Sequence, residues 1–322
     1  ATNSEELARL FEGIDPTLPP EQVAAQLREV LLGIALLENK DDPVHNFLIG
    51  LAYLSGIDVE VDHEKALQLI TSAAEADLPE AYEKLVSMYQ TGEGVERNYH
   101  TAIEWQKRYV DHLQSVADAN PTEDRLTTLF NALWDLGEAQ RRDVGAVAYA
   151  KDTYIAMLRC ALSMQAIGHP WAYRDLSVSY NNLGDICCAE GKLDLAKKWY
   201  RIVLEIDEAL ARETGTVQAR RDLSISYERL GNISQAQGRL DEAQEWRRKS
   251  LEIDEALARE TGTVQAWDDL AEICFHLGTL SDTSKEERIM YLQRTLEIGK
   301  RLHEVTRMSR HQDFITVAEQ EL

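Results

Sequence analysis

Apolar residues return along most of this chain at spacings of three and four, the period of a helix with one face turned to a core. Leu176, Tyr180, Leu183 and Cys187 fall at i, i+4, i+7 and i+11 and predict one helix. Leu195, Trp199, Ile202 and Ile206 make the expected inner stripe of the next. Between the two, AEGKLD predicts a turn in which Gly191 takes the left-handed conformation that ends a helix. Asp194 is placed to cap the helix that follows, with Leu193 before it as a hydrophobic staple. Gly238, Leu240 and Asp241 repeat the device.

That repetition is general. LEIDEALARETGTVQA occupies 204–219 and recurs unchanged at 251–266, a shift of 47. The same shift aligns the segments that begin at Tyr173, Arg220 and Trp267, and reaches back to 126–139. Leu136-Gly137, Leu183-Gly184, Leu230-Gly231 and Leu277-Gly278 therefore stand in register. A glycine held at one point of a helix pair implies close packing there, with Ala196 and Ala243 expected opposite it. A different period governs the N-terminal third: Tyr53 and Tyr89, Gly56 and Gly92, Val59 and Val95, and Ala66 and Ala102 are each 36 apart. Fixed periods of this length are the mark of stacked helical units, each burying its apolar face only against its neighbours.

Leu183-Gly184, Gly191, Ala196 and Tyr200 resemble a tetratricopeptide repeat over about residues 122–305, in a unit longer than the usual 34. The fourth copy is degraded: Arg288 or a neighbour replaces the small residue, and LSDTSKEE has no glycine at its turn. The N-terminal units, with Gly92-Glu93-Gly94-Val95 in the second, resemble the Sel-one-like repeat over about 45–110. Together these resemblances imply an all-α fold, a right-handed superhelical solenoid of antiparallel helix pairs. Its expected organisation is N-terminal capping helices in 1–44, including an amphipathic helix over 20–38; Sel-one-like repeats in 45–118; four tetratricopeptide-like repeats in 119–305; and a C-terminal capping helix in 306–322. In tetratricopeptide arrays the first helix of each pair lines a concave groove that takes peptides. By resemblance the groove positions are Trp134, Glu138 and Arg141, then Asn181, Asp185 and Cys188, then Glu228, Asn232 and Gln235. Asn181 and Asn232 have no lysines beside them, which argues against the subclass that clamps a chaperone's C-terminal carboxylates.

Composition narrows the partners. The 322 residues carry 56 acidic and 34 basic side chains, a formal charge of -22. Such a surface repels phosphate backbones, so nucleic acid is not expected, while a basic segment of another protein is favoured. No apolar run approaches the roughly 18 residues of a membrane span, and the N-terminus lacks the order of a signal peptide. It begins without Met, as a processed end or a piece of a longer protein would. Cys160, Cys187, Cys188 and Cys274 follow neither a metal spacing nor the repeat and read as reduced thiols of a cytoplasmic protein.

Catalytic signatures are missing: no phosphate loop, no HExxH, no nucleophile elbow, and no cofactor motif. TGEGVERN, the nearest glycine-rich string, belongs to a repeat loop. His303 and His311 come closest to a histidine cluster but flank an expected helix break, so no metal site is expected. Asp207-Glu208 and Asp254-Glu255 recur with the repeat and read as solvated helix face. Trp105, Trp199 and Trp246 read as core, Trp134 and Trp267 as candidate exposed anchors. The expected function is a scaffold that binds a peptide or protein segment on the concave face. The alternatives are a ligand-responsive regulatory module, such as a peptide sensor, and the sensing part of a larger enzyme.

Overall fold

In the computed structural model the described residues are 42–57, 59–142, 147–280 and 284–322, so the helix expected over 20–38 lies outside them. All regular structure among them is helical. The elements are α1 (Pro43–Ser55), α2 (His63–Glu75), α3 (Pro79–Thr91), α4 (Tyr99–Ala119), α5 (Glu123–Arg142), α6 (Val147–Ala166), α7 (Ala172–Ala189), α8 (Leu193–Thr214), α9 (Val217–Ala236), α10 (Leu240–Thr261), α11 (Val264–Gly278), α12 (Lys285–Thr306) and α13 (Ser309–Glu321). Consecutive helices pack on each other from α1 to α5 and from α7 to α13. Two compact units result, dividing between Thr153 and Tyr154 inside α6.

In the first unit the 36-residue period is visible atom by atom. Asp62 and Asn98 cap α2 and α4 by accepting the backbone N–H of Lys65 and Thr101. Their own N–H groups donate to the carbonyls of Tyr53 and Tyr89, closing equivalent loops. Gly56 and Gly92 end α1 and α3 at φ 71° and 83°, where a side chain would be strained. Ala66 and Ala102 are buried between the paired helices. Tyr82 is also buried, its ring stacked on Tyr109 at 5.5 Å.

The second unit repeats at 47, with glycines at φ 72° and 73° in the turns at Gly191 and Gly238. Thr216 and Thr263 cap α9 and α11 through Ala219 and Ala266. The expected caps at Asp194 and Asp241 do not form. Lys192 and Arg239 hold the cap positions without a side-chain bond, and Asp194 accepts instead from Gln237 Nε2 of the next pair at 2.8 Å. The inner stripe of α8 is also displaced by one residue. Ala196, Tyr200, Val203 and Asp207 are buried, whereas Leu195 is 38% exposed and Trp199, Ile202 and Ile206 lie at the flanks. Close approach at Gly184 leaves room in the seam for a small residue and a flat ring. Trp199, beside the seam, stacks on Tyr180 of the first helix of the same pair at 5.6 Å.

The glycines are not answered by the alanines alone. A Cβ on Gly184 would stand 2.5 Å from the Tyr200 ring, and one on Gly231 would stand 3.1 Å from Arg247 Cγ and 3.4 Å from the Ala243 carbonyl. On Gly278 it would meet Leu292 at 2.8 Å. Tyr200, Arg247 and Leu292 are therefore equivalent, and the last step is 45 because Leu292 follows its glycine by 14 residues where the other two follow by 16.

Asp207 and Asp254, expected in solvent, are buried in the seam at 3% and 2% exposure. Asp207 accepts from Ser177 at 2.8 Å and from Ser226 at 2.6 Å, joining α8 to its own pair and to the next. Asp254 accepts from Ser224 at 2.6 Å and Ser250 at 3.2 Å. Burial raises the carboxyl pKa at both positions; that of Asp254, with Glu228 and Asp269 nearby, is pushed up to about 7.

Candidate interaction face

Trp134, Glu138 and Arg141 stand on α5 of the first unit. Trp134 is 38% exposed, and Glu138 pairs with Arg141 at 2.8 Å. The other six candidate residues belong to the second unit, where α7 and α9 carry them in two rows of three at equivalent positions. Each row is fixed from below by a side chain of the paired helix. From α8, the Tyr200 hydroxyl donates to Asp185 at 2.6 Å and lies 3.4 Å from Cys188 Sγ. From α10, Arg247 Nη2 donates to Asn232 at 2.9 Å and to Gln235 at 2.5 Å. The two repeats thus reach one geometry with charges exchanged: a neutral phenol beneath an acid in one, a guanidinium beneath two amides in the next. Burial raises the Tyr200 hydroxyl's pKa, and the neighbouring Asp185 adds to the shift. Burial pulls the Arg247 guanidinium below its usual range.

Across the pairs, further ion pairs join consecutive first helices. Arg229 of α9 bonds Asp185 of α7 while standing over the Tyr200 ring. His276 of α11 approaches Glu228 of α9 to 3.7 Å, too far for a hydrogen bond. Arg310 of α13 reaches Glu272 of α11 at 3.2 Å. Burial raises the Glu272 pKa, with Glu228 adding to the effect and His276 and Arg310 opposing it. Several buried polar atoms on these side chains have no hydrogen-bond partner: Asn181 Oδ1, Glu228 Oε1, Arg247 Nε and Nη1, and His276 Nδ1. Unpaired atoms of that kind are costly and scarce in folded proteins.

Six of the nine expected positions thus fall in two organised rows. Sequence reasoning gave no site role to the side chains beneath and between them: Tyr200, named only as a residue of the repeat pattern, and Arg247, Arg229 and His276. For Tyr200 and Arg247 a signal existed: both stand 16 residues after the glycine of their pair. For Arg229 and His276, also 47 apart, only the shared position was visible, since their partners differ.

Tetratricopeptide-repeat families match residues 175–237 and 225–257, and the Sel1 repeat family matches 46–78 and 79–107. No curated protein matches the chain in sequence. Among solved structures, the chain is similar to BtubC from P. vanneervenii, at 18% identity and a TM-score of 0.53, over 70% of this chain and 85% of that one. It is also similar to a signal transduction ATPase with a tetratricopeptide repeat sensor from Pyrococcus horikoshii, at 14% identity and a TM-score of 0.50, over 92% of this chain and 40% of that one. The C-terminal part of a tetratricopeptide repeat-containing protein from Cytophaga hutchinsonii aligns at 12% identity and a TM-score of 0.46, over 97% of this chain and 98% of that one. At such identities the likeness is one of fold. The chain carries Sel1 repeats in its N-terminal part and tetratricopeptide repeats further toward its C-terminus.

Proposed function

We propose that this protein is an interaction scaffold that holds an extended or helical segment of another protein along the α7 and α9 rows of its second unit. The observation that carries this reading is the two equivalent rows of half-buried and exposed side chains on α7 and α9, which Tyr200 and Arg247 hold in place from below. Side chains held in place before a partner arrives lose little freedom on binding, and such preorganisation lowers the entropic cost. The formal charge of -22 favours a segment with basic residues. No helix of the described residues is long and apolar enough to cross a membrane.

A photo-crosslinking residue placed at Asn181 is expected to capture a defined partner segment from cell lysate. The same residue at Glu205, exposed on α8, is the control. Equal capture at both places, or none at Asn181 in repeated trials, rejects the reading.

The bridges between first helices favour a second reading, that of a ligand-responsive regulatory module. Asp185 and Glu228 belong both to the rows and to the contacts between helix pairs. A ligand that took over either carboxylate would loosen one pair against the next. Small-angle scattering of the protein with and without a captured peptide separates a responsive module from a static scaffold.

A further inference from the structure

One corner of the second unit departs from its internal copy in a way that packing does not require. Where α10 turns into α11 and α12 passes beneath, Gly262, Val264, Trp267, Ile298, Arg301, Leu302 and Val305 enclose a notch of about 200 Å³. The preceding repeat has the same frame: Gly215, Val217, Ile253 and Leu257 stand where Gly262, Val264, Ile298 and Leu302 do. Only the rim has changed. Arg220 and Glu260 close that earlier corner with an ion pair at 2.6 Å, and Ala256 lies between them in sequence position. The corresponding residues here are Trp267, Val305 and Arg301. Val305 is 74% exposed and Val264 44%. Trp267 is half-buried against the core that contains Ile298 and Leu302. Arg301 stands over the Trp267 ring, its guanidinium carbon 5.9 Å from the ring centre, and makes no ion pair with an acid of the described residues. A polar closure has become an apolar opening with an unneutralised cation on its lip, in a chain whose acids outnumber its bases by 56 to 34.

We infer that this notch is a second docking point, which takes one large apolar side chain, aromatic or leucine-like, from a partner polypeptide carrying a carboxylate beside that residue. The volume is below the roughly 300 Å³ at which small-molecule pockets begin and suits a single anchoring side chain. Trp267 and Val305 supply the apolar walls, an aromatic wall being the kind enriched where binding energy concentrates. Arg301 supplies the charge complement, and its ring contact with Trp267 holds the guanidinium at the lip. This partner chemistry is opposite to the basic segment favoured by the α7 and α9 rows, so the two places are separable by experiment.

The test pans a random linear peptide library on the intact protein. The selected peptides, made synthetically, are then titrated against variants. Trp267→Arg with Val305→Glu rebuilds the ion-paired corner of the preceding repeat. Val305→Glu alone, at an exposed position, keeps the test independent of any folding defect in the double variant. The expected result is a set of peptides with an apolar residue next to Asp or Glu whose affinity falls about tenfold or more in both variants, the loss of one anchor. Arg301→Gln should weaken the acidic peptide but leave its Glu-to-Gln form unchanged. Selected peptides that bind both variants undiminished, or that fall only with Asn181→Ala, overturn the notch as a docking point. Self-association of the chain that Val305→Glu abolishes also overturns it, by assigning the corner to a second copy.

Discussion

Asp207 and Asp254 occupy the same place in successive repeats, and the serines around them explain why an acid is tolerated in a seam of helices. Hydroxyl donors replace part of the lost water, and burial keeps the remaining preference for the neutral form. For Asp254 the consequence is a stability that depends on pH with a defined sign. The folded protein holds this proton up to about pH 7, against an ordinary aspartate value of 3.8. Between those values the folded state binds more protons than the unfolded chain, so stability falls as pH rises. The contribution is fully present below about pH 4 and lost as pH climbs through 7. Asp254→Asn removes the titration and keeps an acceptor for Ser224. Its unfolding free energy from urea titrations between about pH 4.5 and 8 should rise relative to the unaltered protein across that range, by about 3 kcal/mol in total. A constant difference would mean that Asp254 is ionised in the fold. The sequence concealed this seam because Asp207-Glu208 and Asp254-Glu255 are both repeated acid pairs: periodicity says that a position recurs, not which member of the pair faces inward.

At the scale of the helix pair, the three seam glycines meet different partners and should tolerate a methyl group differently. The Tyr200 ring opposite Gly184 is fixed by its bond to Asp185 and by Arg229 over its face, so it cannot yield. Arg247 opposite Gly231 meets the added carbon with a flexible stem, at 3.1 Å rather than 2.5 Å. Gly184→Ala should cost about 1 to 3 kcal/mol through overpacking. Gly231→Ala should cost less, because alanine's better helix propensity offsets part of the strain, by about 1 kcal/mol. Thermal unfolding of the two variants side by side checks the order, and equal losses would contradict it. Helix pairs, their turns and their glycine contact were legible in advance, since Leu-Gly pairs and turn glycines are local signals. The cap positions and the exact buried stripe of α8 were not. A shift of one residue about a helix axis changes which side chains face inward but leaves the spacing of apolar residues the same, so Leu195–Trp199–Ile202 reads as well as Ala196–Tyr200–Val203. The small residue at Ala196 and the glycine opposite decide between them, and that pairing is tertiary.

Over the length of the second unit, a stack of helix pairs has stability that is close to a sum of nearest-neighbour contacts, and loss of one contact need not travel. The last contact has a buried histidine at its centre. His311 of α13 is fully buried, with Nδ1 at 2.8 Å from the Thr306 hydroxyl at the end of α12 and Nε2 at 3.0 Å from Asp268 of α11. Arg310 holds the other oxygen of Asp268 at 2.8 Å. The Thr306 hydroxyl also lies 2.9 Å from the Leu302 carbonyl, and its single proton serves either that carbonyl or the imidazole. If it goes to the carbonyl, the imidazole donates from both nitrogens and is a buried cation paired with Asp268. If it goes to the imidazole, His311 is neutral. In both cases removal of the ring takes away the partner of Asp268 Oδ1 and one contact of the Thr306 hydroxyl, a loss of about 2 kcal/mol. His311→Ala should therefore speed amide hydrogen exchange in α13 and the adjoining parts of α11 and α12, while α7 and α8 keep their protection. Uniform acceleration through the whole unit would show that its pairs open together, and the repeat would then be a pattern of sequence rather than a unit of stability. The localised outcome is expected because Asp268 meets its partners at the C-terminal end, whereas the seam acids Asp207 and Asp254 hold the preceding pairs through serines that His311 does not touch.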